Sequence, residues 1–461
     1  MIRIRSLSQV LAVALVIGAS SAHADDLIQV YQEARAADPT LAGAEATKLA
    51  TDEYVDQARS QLLPQIGASL NFTRTQGGDN GPTIVRDPIT GNQQVIVGGI
   101  TTTSYQRSLG ASLSQSILDI SKWTALKSSR YTAEAGAAIY DAAQQALLIR
   151  VATAYFNVLT ALDALKFADA NEKALGRQLE QAQQRFDVGL AAITDVNDAK
   201  AQHDQAIASV IANRNNVDQA REAVRQITNK EPGDFRKLRE NLPLDHPNPD
   251  DPKAWVDVAL KQNPTLSSAA LQVDAAGANI NTARAGHLPT ITGQVGYARS
   301  PIWGDTTFAG GGIHDSSDPR WGSSVTLTLN VPIFSGGFTQ SRVRQAIYNR
   351  DFAQDQYEVN RRLVEATTRN DFRSVIAGAS EVQATKAAVV SAQSSVEATQ
   401  AGYEVGTRTI VDVLISQQTL LQAQSSYSAA RHTFVLNGLL LKQAAGVIEV
   451  KDLETINALL E

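Results

Sequence analysis

Between residues 121 and 187 the chain has no proline and only two glycines, Gly136 and Gly176, so one helix can run for about 67 residues, or about 100 Å at 1.5 Å per residue. Few globular domains contain a rod of that length, and its apolar residues must be covered along its side. Leu126, Ala133, Tyr140, Leu147, Ala154 and Ala161 recur every seventh residue, with Trp123, Ala137, Val151, Val158 and Leu165 on the complementary positions. That is coiled-coil periodicity. It continues in two returning helices, through Val196, His203, Val210, Val217 and Val224 in 192–228 and through Val413, Leu420, Tyr427, Phe434 and Leu441 in 409–445. The many alanines predict close helix packing. His203, inside such a row, is expected to be packed or hydrogen-bonded rather than a ligand.

Each long helix ends in the same kind of tip. Phe186-Asp-Val-Gly-Leu-Ala-Ala-Ile-Thr-Asp-Val-Asn197 is answered by Tyr403-Glu-Val-Gly-Thr-Arg-Thr-Ile-Val-Asp-Val-Leu414, so Val188 and Gly189 correspond to Val405 and Gly406, and Asp195 to Asp412. Gly189 and Gly406 stand where a helix C-terminus favours a left-handed residue. Each Asp falls near the start of the next helix, where the dipole favours an anion. Repetition extends upstream: Asp38-Pro-Thr-Leu41 returns as Asn263-Pro-Thr-Leu266, and Leu63-Pro64 as Leu288-Pro289. The chain is therefore a duplication, with repeats at 25–228 and 253–461 joined by a Pro-rich, charged segment 229–252 that composition assigns equally to a disordered linker or a packed belt.

Each repeat carries a hairpin, at about 65–119 and about 290–334, before its long helix at 121–187 or 338–404. Ile66, Ala68, Leu70 and Phe72 alternate with polar residues, as do Val325, Leu327, Leu329, Val331 and Ile333 against Ser324, Thr326, Thr328 and Asn330. Gly-rich loops are expected at 76–103 and 302–319, the latter with the run Ala309-Gly-Gly-Gly-Ile313. Trp123, Trp303, Trp321, Tyr105, Phe334 and Phe338 lie at strand ends, as an aromatic girdle would place them; half-buried sandwich strands are the alternative.

Residues 1–24 read as a cleaved secretory signal, with Arg3 and Arg5 before an apolar run and Ala22-His-Ala24 before Asp25. No other window is expected to form a transmembrane helix, a test blind to barrels. There is no cysteine, which excludes disulfides, thiolate metal sites and a lipidated N-terminal Cys. The formal charge of -6, with no basic run, argues against nucleic acid. The six His show no metal-binding spacing, and neither a phosphate loop nor a nucleophile elbow occurs, so no catalytic residue, metal site or cofactor is expected, and no enzyme activity.

A sheet in lipid must close, and closed barrels begin at about eight strands. Four strands per chain therefore require several chains, and a conducting interior requires at least three, because an eight-stranded barrel is filled by side chains.

The paired hairpins, the Leu-Pro before each, and above all Val405-Gly-Thr-Arg-Thr-Ile-Val-Asp-Val-Leu414 resemble the TolC family of outer-membrane efflux channels. The resemblance implies an α+β membrane protein working as a homotrimer. A twelve-stranded barrel would lie in outer-membrane lipid of a Gram-negative bacterium, continued by a periplasmic helical barrel. Its implied partners are a periplasmic adaptor (membrane fusion) protein and an inner-membrane efflux pump or ABC exporter, its roles multidrug efflux and type I protein secretion. Carried over by position, Thr194, Asp195, Tyr403 and Arg408 match the contacts that close the periplasmic mouth, and Asp412 matches a constriction carboxylate. The tip turns Val188, Gly189, Val405 and Gly406 are the docking candidates. The family's second constriction Asp is replaced here by Ile415. Two other functions compete. A trimeric surface coiled coil or adhesin would not need hairpins between its helices, and a simple diffusion porin would not need a helix of about 100 Å.

Overall fold

The structure, a computed structural model, describes residues 26–79, 81–86, 90–96, 99–308 and 313–461. The signal at 1–24 and most of the run at 309–313 lie outside them. The first repeat forms α1 (Leu27–Ala37), α2 (Pro39–Ser60), β1 (Gln65–Asp79), β2 (Thr83–Arg86), β3 (Gln93–Ile96), β4 (Ile100–Leu118), α3 (Ile120–Asp187) and α4 (Ile193–Thr228). The second forms α5 (Pro252–Gln262), α6 (Pro264–Ala285), β5 (Thr290–Arg299), β6 (Ile302–Phe308), β7 (Ile313–Asp318), β8 (Trp321–Asn330), α7 (Phe338–Glu404), α8 (Ile410–Ala444) and α9 (Val450–Asn457).

The repeats do not fold as separate bodies. One compact unit comprises 26–43, 141–263 and 363–461, and the other comprises 44–140 and 264–362. The second unit is built on the sheet, in which β4 of the first repeat pairs antiparallel with β5 of the second. The pairing β1–β4–β5–β8 gives four strands side by side, and among the described residues the outer edges of β1 and β8 have no partner. The loop expected at 302–319 is instead mostly strand. β6 and β7 prolong β5 and β8 past breaks at Ser300-Pro301 and Pro319-Arg320, and β6 pairs with the far half of β4. Likewise β1 reaches Asp79, and β2 and β3 form a further small hairpin within 76–103.

Registers fix which side chains share a face. Ile66 lies opposite Leu113, Leu113 opposite Val295, and Val295 opposite Val325, so one apolar row crosses all four strands. Its neighbour runs Ala68, Ala111, Tyr297, Ser323. The other face carries the row Gln65, Ser114, Gln294, Thr326. The apolar side chains have nothing over them: Ile66 is 80%, Val325 84% and Leu327 69% exposed in one chain. At one end Phe72, Tyr105 and Trp303 form a ring cluster with centroids 6.1 to 6.3 Å apart, with Trp321 exposed in the same row as Leu70 and Leu109. Trp123, Phe334 and Phe338 are exposed beyond the other end.

α2 and α3 approach closely at Gly136, where an added Cβ would stand 2.3 Å from Thr51 Oγ1. Gly136→Val is therefore expected to destabilise the protein by about 1–3 kcal/mol through overpacking. Thr51→Ala in the same chain should recover much of that, a coupling read by thermal unfolding in detergent.

The first unit holds the heptad core. Val151 and Val158 are fully buried, Leu147 and Leu441 nearly so, and Phe434 packs with Phe372, Val375 and Val382. Contrary to expectation, α3 does contain an 18-residue window apolar enough to cross a membrane, half of it buried inside the protein, because alanine- and leucine-rich heptads satisfy the same composition test. Segment 229–252 is a packed belt. Phe235 stacks edge-on against Tyr155 at 5.2 Å, Leu238 bridges Leu460, and the backbones of Lys237 and Glu461 exchange two hydrogen bonds.

Candidate functional site

The two helix tips are built alike. At the first, Gly189 takes φ of 79°, its N–H bonds Phe186 O at 2.9 Å, and Leu190 N–H bonds Arg185 O at 2.7 Å. At the second, Gly406 takes φ of 80°, its N–H bonds Tyr403 O at 3.1 Å, and Thr407 N–H bonds Gly402 O at 2.8 Å. This is the Schellman pairing, and only glycine adopts that backbone without strain. The turn leaves Val188, Leu190 and Val405 69%, 72% and 75% exposed, an apolar surface at the end of each hairpin.

The following helix starts differ. Thr409 caps α8, accepting from Asp412 N at 3.3 Å, while the Asp412 carboxylate receives Thr409 N–H at 3.0 Å and its hydroxyl at 2.9 Å. Those bonds from the Thr409 backbone and side chain hold the Asp412 carboxyl below its usual range, with a smaller push from Arg408. At the first tip Ala192 stands at the cap and makes no side-chain bond. Thr194 and Asp195 sit in the first turn of α4, and among the described residues their side chains form no hydrogen bond or ion pair.

The hairpins meet through apolar side chains. Leu175, Ala206, Tyr403, Ile410, Val413 and Leu414 form one buried cluster drawn from α3, α4, α7 and α8. Tyr403 is 6% exposed, and among the described residues its hydroxyl has no hydrogen-bond partner. Arg185, which sequence reasoning missed, places its guanidinium 4.8 Å from the Tyr403 ring centre and reaches Tyr403 O at 3.4 Å. Its one sequence signal is a basic residue in the last turn of α3, a position that also suits the helix dipole. Arg408 is exposed and lays its stem on Gly402, where an added Cβ would be 2.7 Å from Cγ. Thr194 and Asp195 are thus not joined to Tyr403 or Arg408 within one chain. His203 is hydrogen-bonded, as expected, with Nε2 3.0 Å from Glu172 Oε1 beside Gly176, whose missing side chain leaves it room.

The outer membrane efflux protein family matches this chain over residues 30–230 and 255–447. The chain is 40% identical over 441 residues to outer membrane protein TolC of Escherichia coli strain K12, covering 95% of this chain and 85% of that protein. It is 27% identical over 437 residues to the alkaline protease secretion protein AprF of Pseudomonas aeruginosa, covering 94% and 86%. Among solved structures, the CmeC outer membrane channel of Campylobacter jejuni superposes with a TM-score of 0.72 at 17% identity, covering 94% of this chain and 90% of that one.

Proposed function

This chain belongs to the outer membrane efflux protein family, and from that premise we propose that three copies complete one gated conduit. The protein is an outer-membrane exit duct for efflux and secretion, with a periplasmic portion. Its family and structural neighbours are channels, not enzymes.

One observation supports the assembly: a four-stranded sheet, apolar on one face, whose two outer edges have no partner among the described residues. Unpaired strand edges are untenable in hydrocarbon, so each β1 edge must meet the β8 edge of another copy. Three copies give twelve strands and an interior wide enough to conduct. The helices favour the same solution. Tyr348, Phe352, Val359 and Leu363 recur on one stripe of α7 and are 57% to 67% exposed, a second seam uncovered in a single chain. The apolar tips at Val188, Leu190 and Val405 are offered to a periplasmic adaptor, which would link the duct to an inner-membrane pump or exporter. Light scattering of the detergent-solubilised protein should give three chains; a monomer or dimer would sink the assembly.

The tips are the gate in this reading. Thr194 and Asp195, uncommitted among the described residues of their own chain, are available to Arg408 of a neighbouring chain, while Arg185 clamps Tyr403. Exposed pairs of this kind contribute about 0.2–1 kcal/mol each, enough to hold a mouth and too little to hold the cylinder together. Replacing Thr194 and Asp195 by Ala, Tyr403 by Phe and Arg408 by Ser together should raise single-channel conductance in planar bilayers without lowering trimer yield. Asp412→Ala alone should mainly shift ion selectivity, since a ring of carboxylates attracts cations. The capping box favours a second reading, in which Asp412 only starts α8. Unchanged conductance and unchanged selectivity would establish it.

A further inference from the structure

On the apolar face of the sheet, at the end away from the starts of α3 and α7, three arginines stand among the aromatic residues. Arg107 lies opposite Phe72, Arg74 opposite Tyr105, and Arg299 opposite Leu109, so all three share the face of Ile66, Val295 and Val325. They form one diagonal across β1, β4 and β5, from Arg74 to Arg107 to Arg299, with steps of about 7–8 Å that long side chains can span. From Val331, just past β8, to Trp321, which pairs with Arg299, the chain rises about 33 Å along the strand, or about 25 Å at a tilt of about 40°. That is the height of the apolar band of a membrane barrel. The diagonal therefore begins where hydrocarbon ends and headgroups start.

All three arginines are exposed, and none forms an ion pair among the described residues. Arg74 lies 5.8 Å from the Tyr105 ring centre, while the side chains of Arg107 and Arg299 make no hydrogen bond among those residues. Arg320 is the contrast: it pairs with Asp318 at 2.5 Å, and Asp318 lies in the row of Ile302 and Gln106 on the other face. Among the described residues the carboxylates on the arginine face are Asp305 and Asp315, which stand opposite each other farther out. Asp305 is about 12 Å from Arg74 by strand spacing, and its hydrogen bond with Asp315 raises its carboxyl. Guanidinium groups beside hydrocarbon are costly when unpaired, and the chain as a whole carries a formal charge of -6. Three cations gathered at this rim thus await an anion that the membrane itself supplies. Phosphate suits them, because its oxygens accept both N–H groups of a guanidinium fork.

We propose that Arg74, Arg107 and Arg299 form a docking surface for a lipid whose headgroup carries a phosphate monoester, the phosphate received by the guanidinium forks and the upper acyl chain laid on Phe72, Tyr105 and Trp303. Lipid capture requires that the apolar face be the lipid face, the reading proposed above, and comparing Leu327→Arg with Thr328→Arg tests that assignment separately. The test is native mass spectrometry of the full protein in nonionic micelles titrated with dioleoylphosphatidic acid. Dioleoylphosphatidylcholine, with the same chains and its phosphate capped by choline, is titrated in parallel. Phosphatidic acid is expected to bind at least about tenfold more tightly, a difference that added salt narrows. Arg107→Gln with Arg299→Gln leaves the Arg74 contact with Tyr105 in place and should weaken phosphatidic acid about tenfold or more, without changing phosphatidylcholine. Arg320→Gln, on the other face, should change neither. Inorganic phosphate at the same concentrations should not displace the lipid. Equal affinity for the two lipids, unchanged phosphatidic acid binding in the double variant, or an equal loss in Arg320→Gln would each overturn the docking surface, and displacement by inorganic phosphate would overturn its assignment to a lipid. The comparison of lipids on the wild-type protein decides the matter even where the double variant fails to assemble.

Discussion

Leu327→Arg is expected to abolish most of the assembled protein recovered from outer membranes, whereas Thr328→Arg, one residue on, should leave the greater part. The two positions alternate across a strand whose register is fixed: Leu327 lies opposite Gly293 and shares a face with Val325 and Val295, while Thr328 lies opposite Thr292 on the face of Gln294 and Ser324. On the apolar face a guanidinium near the middle of the bilayer costs about 2–4 kcal/mol, and in a trimer that cost is incurred three times. On the polar face the same group meets water. Across the strand the Ile117 side chain lies over Gly293, so an arginine at 327 would meet a further apolar group and no polar partner there. Recovery of heat-resistant oligomer on gels is the measurement, and equal losses from the two variants would remove the assignment of lipid and lumen faces on which the barrel rests.

That assignment was legible in the sequence where water and lipid act on opposite faces, and illegible where they do not. The alternation from Val325 to Leu329 marks β8 directly, and heptads mark α3, with Val151 and Val158 fully buried as their positions require. β6 and β7 leave no such signal, because Gly304-Asp-Thr-Thr307 and Asp315-Ser-Ser-Asp318 carry no apolar period. These strands are held by backbone pairing to β4 and to each other, a force that leaves no mark on side-chain hydropathy. The belt is hidden from sequence for a related reason. Its hold on the helices comes from carbonyls that accept from Arg431 and from backbone pairing with Glu461, and neither partner can be inferred from the composition of 229–252. At the tips the glycines and the Asp positions were plain from their spacing. Arg185 was not, because its partner, the Tyr403 ring, lies on the other hairpin and only the packed structure brings the two together.

Arg150→Ala should destabilise the protein by about 2–3 kcal/mol, less than the full cost of orphaning a buried charge because the Arg150 side chain is itself 35% exposed. Asp38 is 4% exposed and does two jobs at the junction of α1 and α2: its N–H closes α1 on Ala34 O at 2.7 Å, and its Oδ2 accepts from Leu41 N at 2.8 Å to start α2. Arg150 adds a fork, Nη1 to Oδ1 at 3.1 Å and Nη2 to Oδ2 at 2.6 Å. The Arg150 hydrogen bonds, more than the Leu41 N–H, pull the Asp38 carboxyl below its ordinary 3.8. A lowered carboxyl stabilises the fold fully above the unfolded value, and that contribution disappears as pH falls through the lower folded one. Wild type should therefore keep this increment down to about pH 4, and the gap in stability between wild type and Arg150→Ala should be widest near neutrality and narrow as pH falls below about 4, because the variant has less of this increment to lose. The second repeat indicates the remedy. Asn263 occupies the position of Asp38, and near the position of Arg150 that repeat has Thr367 and Thr368, so the uncharged residue accompanies the missing cation. Asp38→Asn added to Arg150→Ala should then recover most of the loss, because asparagine starts a helix about as well as aspartate and leaves no buried charge. Thermal unfolding of wild type and the two variants from pH 7 to below pH 4 decides the matter. A double variant no more stable than Arg150→Ala would show that packing of the arginine stem, rather than its charge, holds the junction.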